Sequence, residues 1–176
     1  AVTLRRVDCT LERHGTAILA ILNDAILNST ALYEYQPREA TSMAAWFASR
    51  AAKRYPVIGI EDGSGELLGF ASYGAFRPHA AYKYSVEHLL YVRADRRRRG
   101  IGRNLLRAVI AAAGTQGYHL LVGGIDAANR ASIALHEQLG FTHAGTIREA
   151  GFKFGRWLDL AFYQLHLPTP EDPVDG

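Results

Sequence analysis

The chain has 176 residues, 48% hydrophobic and 21% charged, with a formal net charge of +3 at pH 7. That length and apolar content suit one soluble domain with a good core and leave little room for two. The small basic excess gathers in one short segment, which fits a bound polyanion better than a nucleic-acid surface.

Cys9 is the only cysteine, so an intrachain disulfide and a cysteine zinc site are both excluded, as suits a reducing cytosol. No apolar run has the length of a membrane span, and residues 1–8 lack the organisation of a signal peptide. The expectation is a cytoplasmic protein with no membrane, nucleic-acid or metal partner.

In chain order, Thr3 to Val7 reads as a strand and Arg13 to Asn28 as a helix with the apolar stripe Ala17, Ile18, Ile21, Leu22, Ala25 and Ile26. A polar and aromatic segment, Ser29 to Pro37, leads to a second helix, Ala40 to Lys53. Val57 to Glu61 and Leu67 to Tyr73 form a hairpin around Asp62-Gly63-Ser64-Gly65. After an aromatic and basic loop, Gly74 to Lys83, comes a strand from Ser85 to Val92 and a helix from Gly102 to Gln116. His119 to Ile125 is a buried strand, Arg130 to Leu139 a helix, and Thr142 to Thr146 and Trp157 to Leu167 two closing strands. This order predicts an α/β protein with a mixed sheet, a three-layer α/β/α sandwich. Residues 1–167 read as one domain, and 168–176, rich in proline and acidic residues, as a loose tail.

The strand at Ser85–Val92 and the next helix are joined through Arg97-Arg98-Arg99-Gly100-Ile101-Gly102-Arg103. The first amides of a helix have no intrahelical partners, so a glycine turn that delivers a strand into a helix makes a cradle for phosphates. Seven arginines between 93 and 107 point the same way. A third dinucleotide-loop glycine is missing, and no Lys-Ser/Thr pair follows. What remains is Arg/Gln-x-x-Gly-x-Gly/Ala over Arg97–Gly102, which resembles the coenzyme A pyrophosphate loop of the GNAT acetyltransferase superfamily.

A second segment strengthens the resemblance. Asn129 and Ala131-Ser132, then Leu135-His136-Glu137-Gln138-Leu139-Gly140-Phe141, are similar to the superfamily's Asn-x-x-Ser/Ala-x-x-x-Tyr/His-x-x-x-Gly-Phe. Independently of the family, Asn129, Ser132 and His136 share one helical face, which can line a cofactor, although Asn129 can equally cap the helix. The resemblance implies the acyl-CoA N-acyltransferase fold and acetyl-CoA as the acyl donor. It implies that Arg97 to Arg103, Asn129 and Ser132 contact coenzyme A, and that the main chain of Leu90, Tyr91 and Val92 pairs with the pantetheine arm. It puts His136 where many relatives have a tyrosine that protonates the departing thiolate.

Glu87 and His88 interrupt an otherwise apolar strand. An ammonium group cannot attack a thioester, so acetyl transfer to an amine needs a proton acceptor, and a partly desolvated carboxylate has a usefully raised pKa. Glu87 is the candidate base, directly or through water, against the alternative of a structural carboxylate. His88 orients that water, binds substrate or packs. Backbone N–H groups around Leu90 are candidates to receive the developing oxyanion.

Phe76-Arg77-Pro78, Ser85-Val86-Glu87-His88 and Lys153-Phe154-Gly155-Arg156-Trp157-Leu158-Asp159 resemble the phosphinothricin and methionine sulfoximine N-acetyltransferase branch. The substrates implied are small α-amino acids with a phosphinate, sulfoximine or sulfone head, and the assembly implied is a homodimer, with detoxification as the role. Arg77 suits the substrate carboxylate, with His79 nearby and Thr30, Tyr33 and Tyr35 as a far wall. Lys153, Trp157 and Asp159 are substrate-loop or interface candidates. The competing readings are an acetyltransferase for a peptide N-terminus or another amine such as a polyamine, a non-catalytic acyl-CoA sensor, and a nucleic-acid module using the arginine run.

Overall fold

The computed structural model describes residues 3–176. Its strands are β1 Arg5–Asp8, β2 Val57–Glu61, β3 Leu67–Ala75, β4 Ser85–Val92, β5 Leu120–Asp126, β6 Thr142–Lys153 and β7 Arg156–His166. Its helices are α1 Leu11–Asn28, α2 Ser42–Ala52, α3 Ile101–Thr115 and α4 Arg130–Gln138. The strands hydrogen-bond in the order β1-β2-β3-β4-β5-β7-β6, with β4 and β5 parallel and the pairs β1–β2, β2–β3, β5–β7 and β6–β7 antiparallel. This is the mixed, helix-flanked α/β sheet that the element order implies. By chain contacts the molecule divides into two compact units, the first running up to Tyr73 and taking in Leu89–Val109, the second comprising Gly74–His88 and Ile110–Gly176.

In the first unit, α1 and α2 lay their apolar residues on one face of the sheet. Ile18, Ile21, Leu22 and Met43 meet Val57, Leu67 and Phe70, with Trp46, Leu89 and Tyr91 packed around them. Burying each such side chain stabilises the fold by about 1.5–3 kcal/mol. The N-terminal half of α3 covers the opposite face. A Cβ at Gly69 would come within 2.9 Å of the Tyr91 carbonyl and 3.1 Å of Leu105, so only glycine lets the helix approach there. Thr10 caps α1 by accepting the Arg13 amide, which starts the helix before the apolar stripe begins.

A polar clamp ties β1, α1 and β2 together. The buried Glu61 carboxylate accepts from Arg5 at 2.8 Å, Arg13 at 2.9 Å and His14 Nε2 at 2.8 Å. His14 Nδ1 accepts from the Thr10 amide, so the ring hydrogen sits on Nε2 and points at the carboxylate. Arg5 foremost holds Glu61 below the usual carboxylate range, against the opposing effect of burial. The Cys9 thiol is pushed up to about 12, chiefly by burial, and is a packing group.

In the second unit β5 is flanked by the start of β4 and by β7, and the unit carries α4 and the long β6–β7 hairpin. β6 runs to Lys153, well past the expected end at Thr146, because a register shift between Ile147 and Gly151 lets the strand resume after Glu149 takes a φ of 54°. The other boundaries differ from expectation by a few residues. The C-terminal segment is not loose. Thr169 donates to the Tyr118 carbonyl, its own carbonyl accepts from His119 at 2.9 Å, and the Val174 amide donates to the Tyr84 hydroxyl at 3.1 Å.

Candidate active site

The arginine-glycine loop forms as its sequence implies. After a 3-10 turn at Ala94–Arg96, Arg98 and Gly100 both take left-handed backbone angles, with φ of 64° and 75°, and α3 starts at Ile101. A Cβ at Gly100 would meet nothing within 4 Å, so glycine is needed there for the turn and not for space. The amides of the first turn of α3 therefore open at the loop, and the helix N-terminus favours an anion.

The structure sorts the arginines. Arg93 pairs with Asp95 at 2.9 Å and Glu66 at 3.4 Å, and Arg96 with Asp95 at 3.1 Å. Arg97, Arg98 and Arg99 are exposed and have no carboxylate partner among the described residues. Arg97, Arg98 and Arg99 thus leave net positive charge at the loop, which favours an anionic ligand there.

On β4 the parallel ladder with β5 covers Ser85↔Leu120, Val86↔Leu121 and Glu87↔Val122. Leu90, Tyr91 and Val92 run past the last of these pairs. Extended backbone of this kind can accept a peptide-like chain such as pantetheine as an added strand.

Glu87 is half-buried, and no hydrogen bond or ion pair to its carboxylate forms among the described residues. Burial raises its pKa above the ordinary value, and the nearby Arg77 guanidinium opposes that shift. Its side chain lies over β5, where a Cβ at Gly124 would be 3.3 Å from Oε2. Arg77 itself is exposed and stacks over Phe76 at 4.9 Å. Phe76 packs edge-on against Tyr82 and Phe162, and His79 lies 6.5 Å from Tyr82. The loop between β3 and β4 is therefore an aromatic shelf that carries Arg77 near the carboxylate.

Of the alternatives open for His88, the structure shows packing. Strand alternation turns it to the face opposite Glu87, where it is 8% exposed and packs on Phe141 at 5.4 Å. Its Nε2 lies 2.9 Å from Nε2 of His136, whose Nδ1 donates to the Ser132 carbonyl at 2.7 Å. Since the carbonyl can only accept, the hydrogen of neutral His136 is on Nδ1, and His88 must donate through Nε2. Burial above all, with His136 next, lowers the His88 pKa to about 3, and burial lowers that of His136. His88 is buried against His136 and Phe141. In neutral His136 the one ring N–H is thus used by the Ser132 carbonyl.

Asn129 caps α4, its Oδ1 accepting the Ser132 amide at 3.1 Å, which leaves its amide N–H groups for a ligand. Thr30 and Tyr33 lie between α1 and α2 in the first unit, Thr30 half-buried and Tyr33 and Tyr35 exposed. Lys153 is buried at the end of β6, Trp157 is exposed, and Asp159 accepts the Glu149 amide at 2.8 Å within the hairpin. Sequence reasoning passed over Gly123 and Gly124. A Cβ at Gly123 would sit 2.7 Å from His88 and 3.3 Å from His136. A glycine pair inside an apolar strand was the available signal of close approach.

The model of the acetyltransferase (GNAT) family matches residues 20–141. An L-methionine sulfoximine/L-methionine sulfone acetyltransferase of Pseudomonas aeruginosa PAO1 is 48% identical over 89% of this chain and 91% of its own. Among solved structures, an N-acetyltransferase of Staphylococcus aureus Mu50 is 46% identical with a TM-score of 0.91, over 93% of this chain and 98% of its own. A GNAT superfamily phosphinothricin acetyltransferase of Sinorhizobium meliloti, in complex with acetyl-CoA, is 34% identical with a TM-score of 0.91, over 99% and 94%. With its fold, the family-model match and these relatives, the chain belongs to the GNAT family and is an N-acetyltransferase whose cosubstrate is acetyl-CoA.

Proposed function

We propose that the protein acetylates the α-amine of a small amino acid whose side chain ends in a phosphinate, sulfoximine or sulfone group, with Glu87 as the base. The observation that carries this reading is the Glu87 carboxylate, half-buried, without a hydrogen-bond partner among the described residues and near Arg77. Arg77 grips the α-carboxylate, and Glu87 takes the proton of the neighbouring ammonium, directly or through water. Acetyl-CoA supplies an activated acyl group, so the free amine attacks it without an enzyme nucleophile once both are held in contact. The main-chain N–H groups around Leu90 receive the charge that develops on the carbonyl oxygen. A thiolate leaves readily, since an alkyl thiol has a pKa of about 8.5, and no fixed donor is needed.

Arg97 to Arg103 hold the phosphates, and the free amide of Asn129 and the face of Ser132 border the cofactor. Residues 1–167 act as one acetyltransferase domain. Ile147, Phe152, Phe154 and Trp157, exposed on β6, β7 and the turn between them, support self-association through the hairpin.

The test is thiol release from acetyl-CoA with methionine sulfoximine, methionine sulfone, phosphinothricin, a polyamine and a short peptide. Turnover of the amino acids with little on the polyamine or peptide supports the substrate class. The reverse order removes it.

A further inference from the structure

Within the second unit, β5 carries a bare patch of backbone. Gly124 is exposed, although Gly123 and Ile125 on either side of it are buried, and it lies directly opposite Phe162 of β7. Three side chains meet where a Cβ at Gly124 would sit: Glu87 Oε2 at 3.3 Å, Leu160 at 3.3 Å and Phe162 at 3.6 Å. An aromatic ring set across a strand pair from a glycine covers backbone that the glycine leaves open. Here the ring shares that patch with a carboxylate.

Phe162 also reaches the support of the neighbouring cation. Its ring meets Phe76 edge-on, with centroids 6.4 Å apart and planes at 89°, and the Arg77 guanidinium carbon lies 4.9 Å over the same Phe76 ring. Tyr82 packs on Phe76 at 5.9 Å, and the Phe76 amide donates to the Ser85 carbonyl at 3.3 Å. Arg77 makes no hydrogen bond or ion pair among the described residues, so the stack on Phe76 is the contact that holds its guanidinium.

The other neighbours of Glu87 on this face are apolar. Val122 stands beside it in the ladder with β5, and Leu160 shares the patch at Gly124. The charged group that acts on Glu87 is Arg77, and burial acts on it more strongly. A ring that keeps water from one side of the carboxylate and props the cation's platform bears on both polar groups at once.

We propose that Phe162 is a positioning residue of the candidate site, its ring propping the Phe76 that carries Arg77 and forming the apolar wall beside the Glu87 carboxylate. This rests on the proposed function, since it takes Glu87 to be the base and Arg77 the grip on the substrate carboxylate.

The test follows KM for methionine sulfone and the pH dependence of kcat/KM in wild type, Phe162→Ala, Phe162→Leu, Arg77→Met and the double variant Phe162→Ala/Arg77→Met. In Phe162→Ala, KM is expected to rise about two- to tenfold as the edge contact to Phe76 is lost. Its acid limb is expected to move to lower pH, because water reaches the carboxylate and the larger of the two influences on it is relieved. In the Arg77→Met background the same substitution is expected to move the limb again but to raise KM no further. Phe162→Leu keeps apolar cover without the edge contact, so KM is expected to rise with the limb unmoved. That pair of results also decides the matter if the alanine variant does not fold. An unmoved limb in folded Phe162→Ala, or a rise in KM as large in the Arg77→Met background as in wild type, overturns the inference and leaves the proposed function standing. If wild type does not acetylate methionine sulfone, or shows no acid limb, the proposed function falls and this inference falls with it.

Discussion

His88 donates its Nε2 hydrogen to Nε2 of His136 across 2.9 Å, and the two rings stack with centroids 5.1 Å apart. The pair is wedged against the backbone of β5 at Gly123, where a Cβ would come within 2.7 Å of His88. Gly123→Ala is therefore expected to cost about 1–3 kcal/mol through overpacking of a site that cannot relax. Urea unfolding measures it. Gly114→Ala is the control, since a Cβ there meets nothing within 4 Å.

Acid stability follows from the same ring and from Glu61. The His88 pKa is about 3 in the folded protein, against an ordinary 6.5. Between those values the unfolded chain binds the extra proton, so stability is complete above pH 6.5 and falls as pH drops from 6.5 towards 3. Glu61 is shifted below its ordinary 4.5, so its contribution is complete above 4.5 and is lost as pH falls through the lower folded value. His88→Phe is expected to flatten the upper part of the stability curve, and Glu61→Gln the lower part, in urea titrations from pH 8 to 3.

Arg77 opposes the rise that burial imposes on the Glu87 pKa. With Glu87 as the proposed base, the acid limb of kcat/KM is expected to report its deprotonation in the free enzyme, with rate rising as pH rises through that pKa. Removing the guanidinium in Arg77→Met is expected to move this limb to higher pH and to raise KM for the amino acid. An acid limb at the same pH in both proteins separates Arg77 from the base.

At the loop, Gly100→Ala places a Cβ at a φ of 75°, a strain of about 1–2 kcal/mol. The cradle is expected to shift, with acetyl-CoA binding weakened about tenfold by calorimetry and the stability of the core little changed. Replacing Arg97, Arg98 and Arg99 by glutamine is expected to weaken acetyl-CoA binding and to reduce its salt dependence, since these three have no competing carboxylates among the described residues.

The elements that announce themselves in the sequence are those with strong local signals. Asp62-Gly63-Ser64-Gly65 marks the hairpin, the α1 stripe its buried face, and Arg97–Gly102 the glycine turn into α3, because turn chemistry and periodicity act over a few residues. The β6 strand was cut short because its continuation depends on pairing with β7 across a register shift, which one strand's pattern does not carry. His88 illustrates a different limit. Alternation already separates it from Glu87, but only the tertiary packing brings His136 and Phe141 against its ring. Asn129 had two readings, and the structure uses its side-chain oxygen as the helix cap.

The most direct test of the base assignment is Glu87→Gln, assayed for kcat with methionine sulfone and for acetyl-CoA binding by calorimetry. Loss of the proton acceptor is expected to lower kcat by about 10²–10⁴-fold while acetyl-CoA binds as in wild type. Wild-type turnover in Glu87→Gln would contradict the account and return Glu87 to the role of a structural carboxylate.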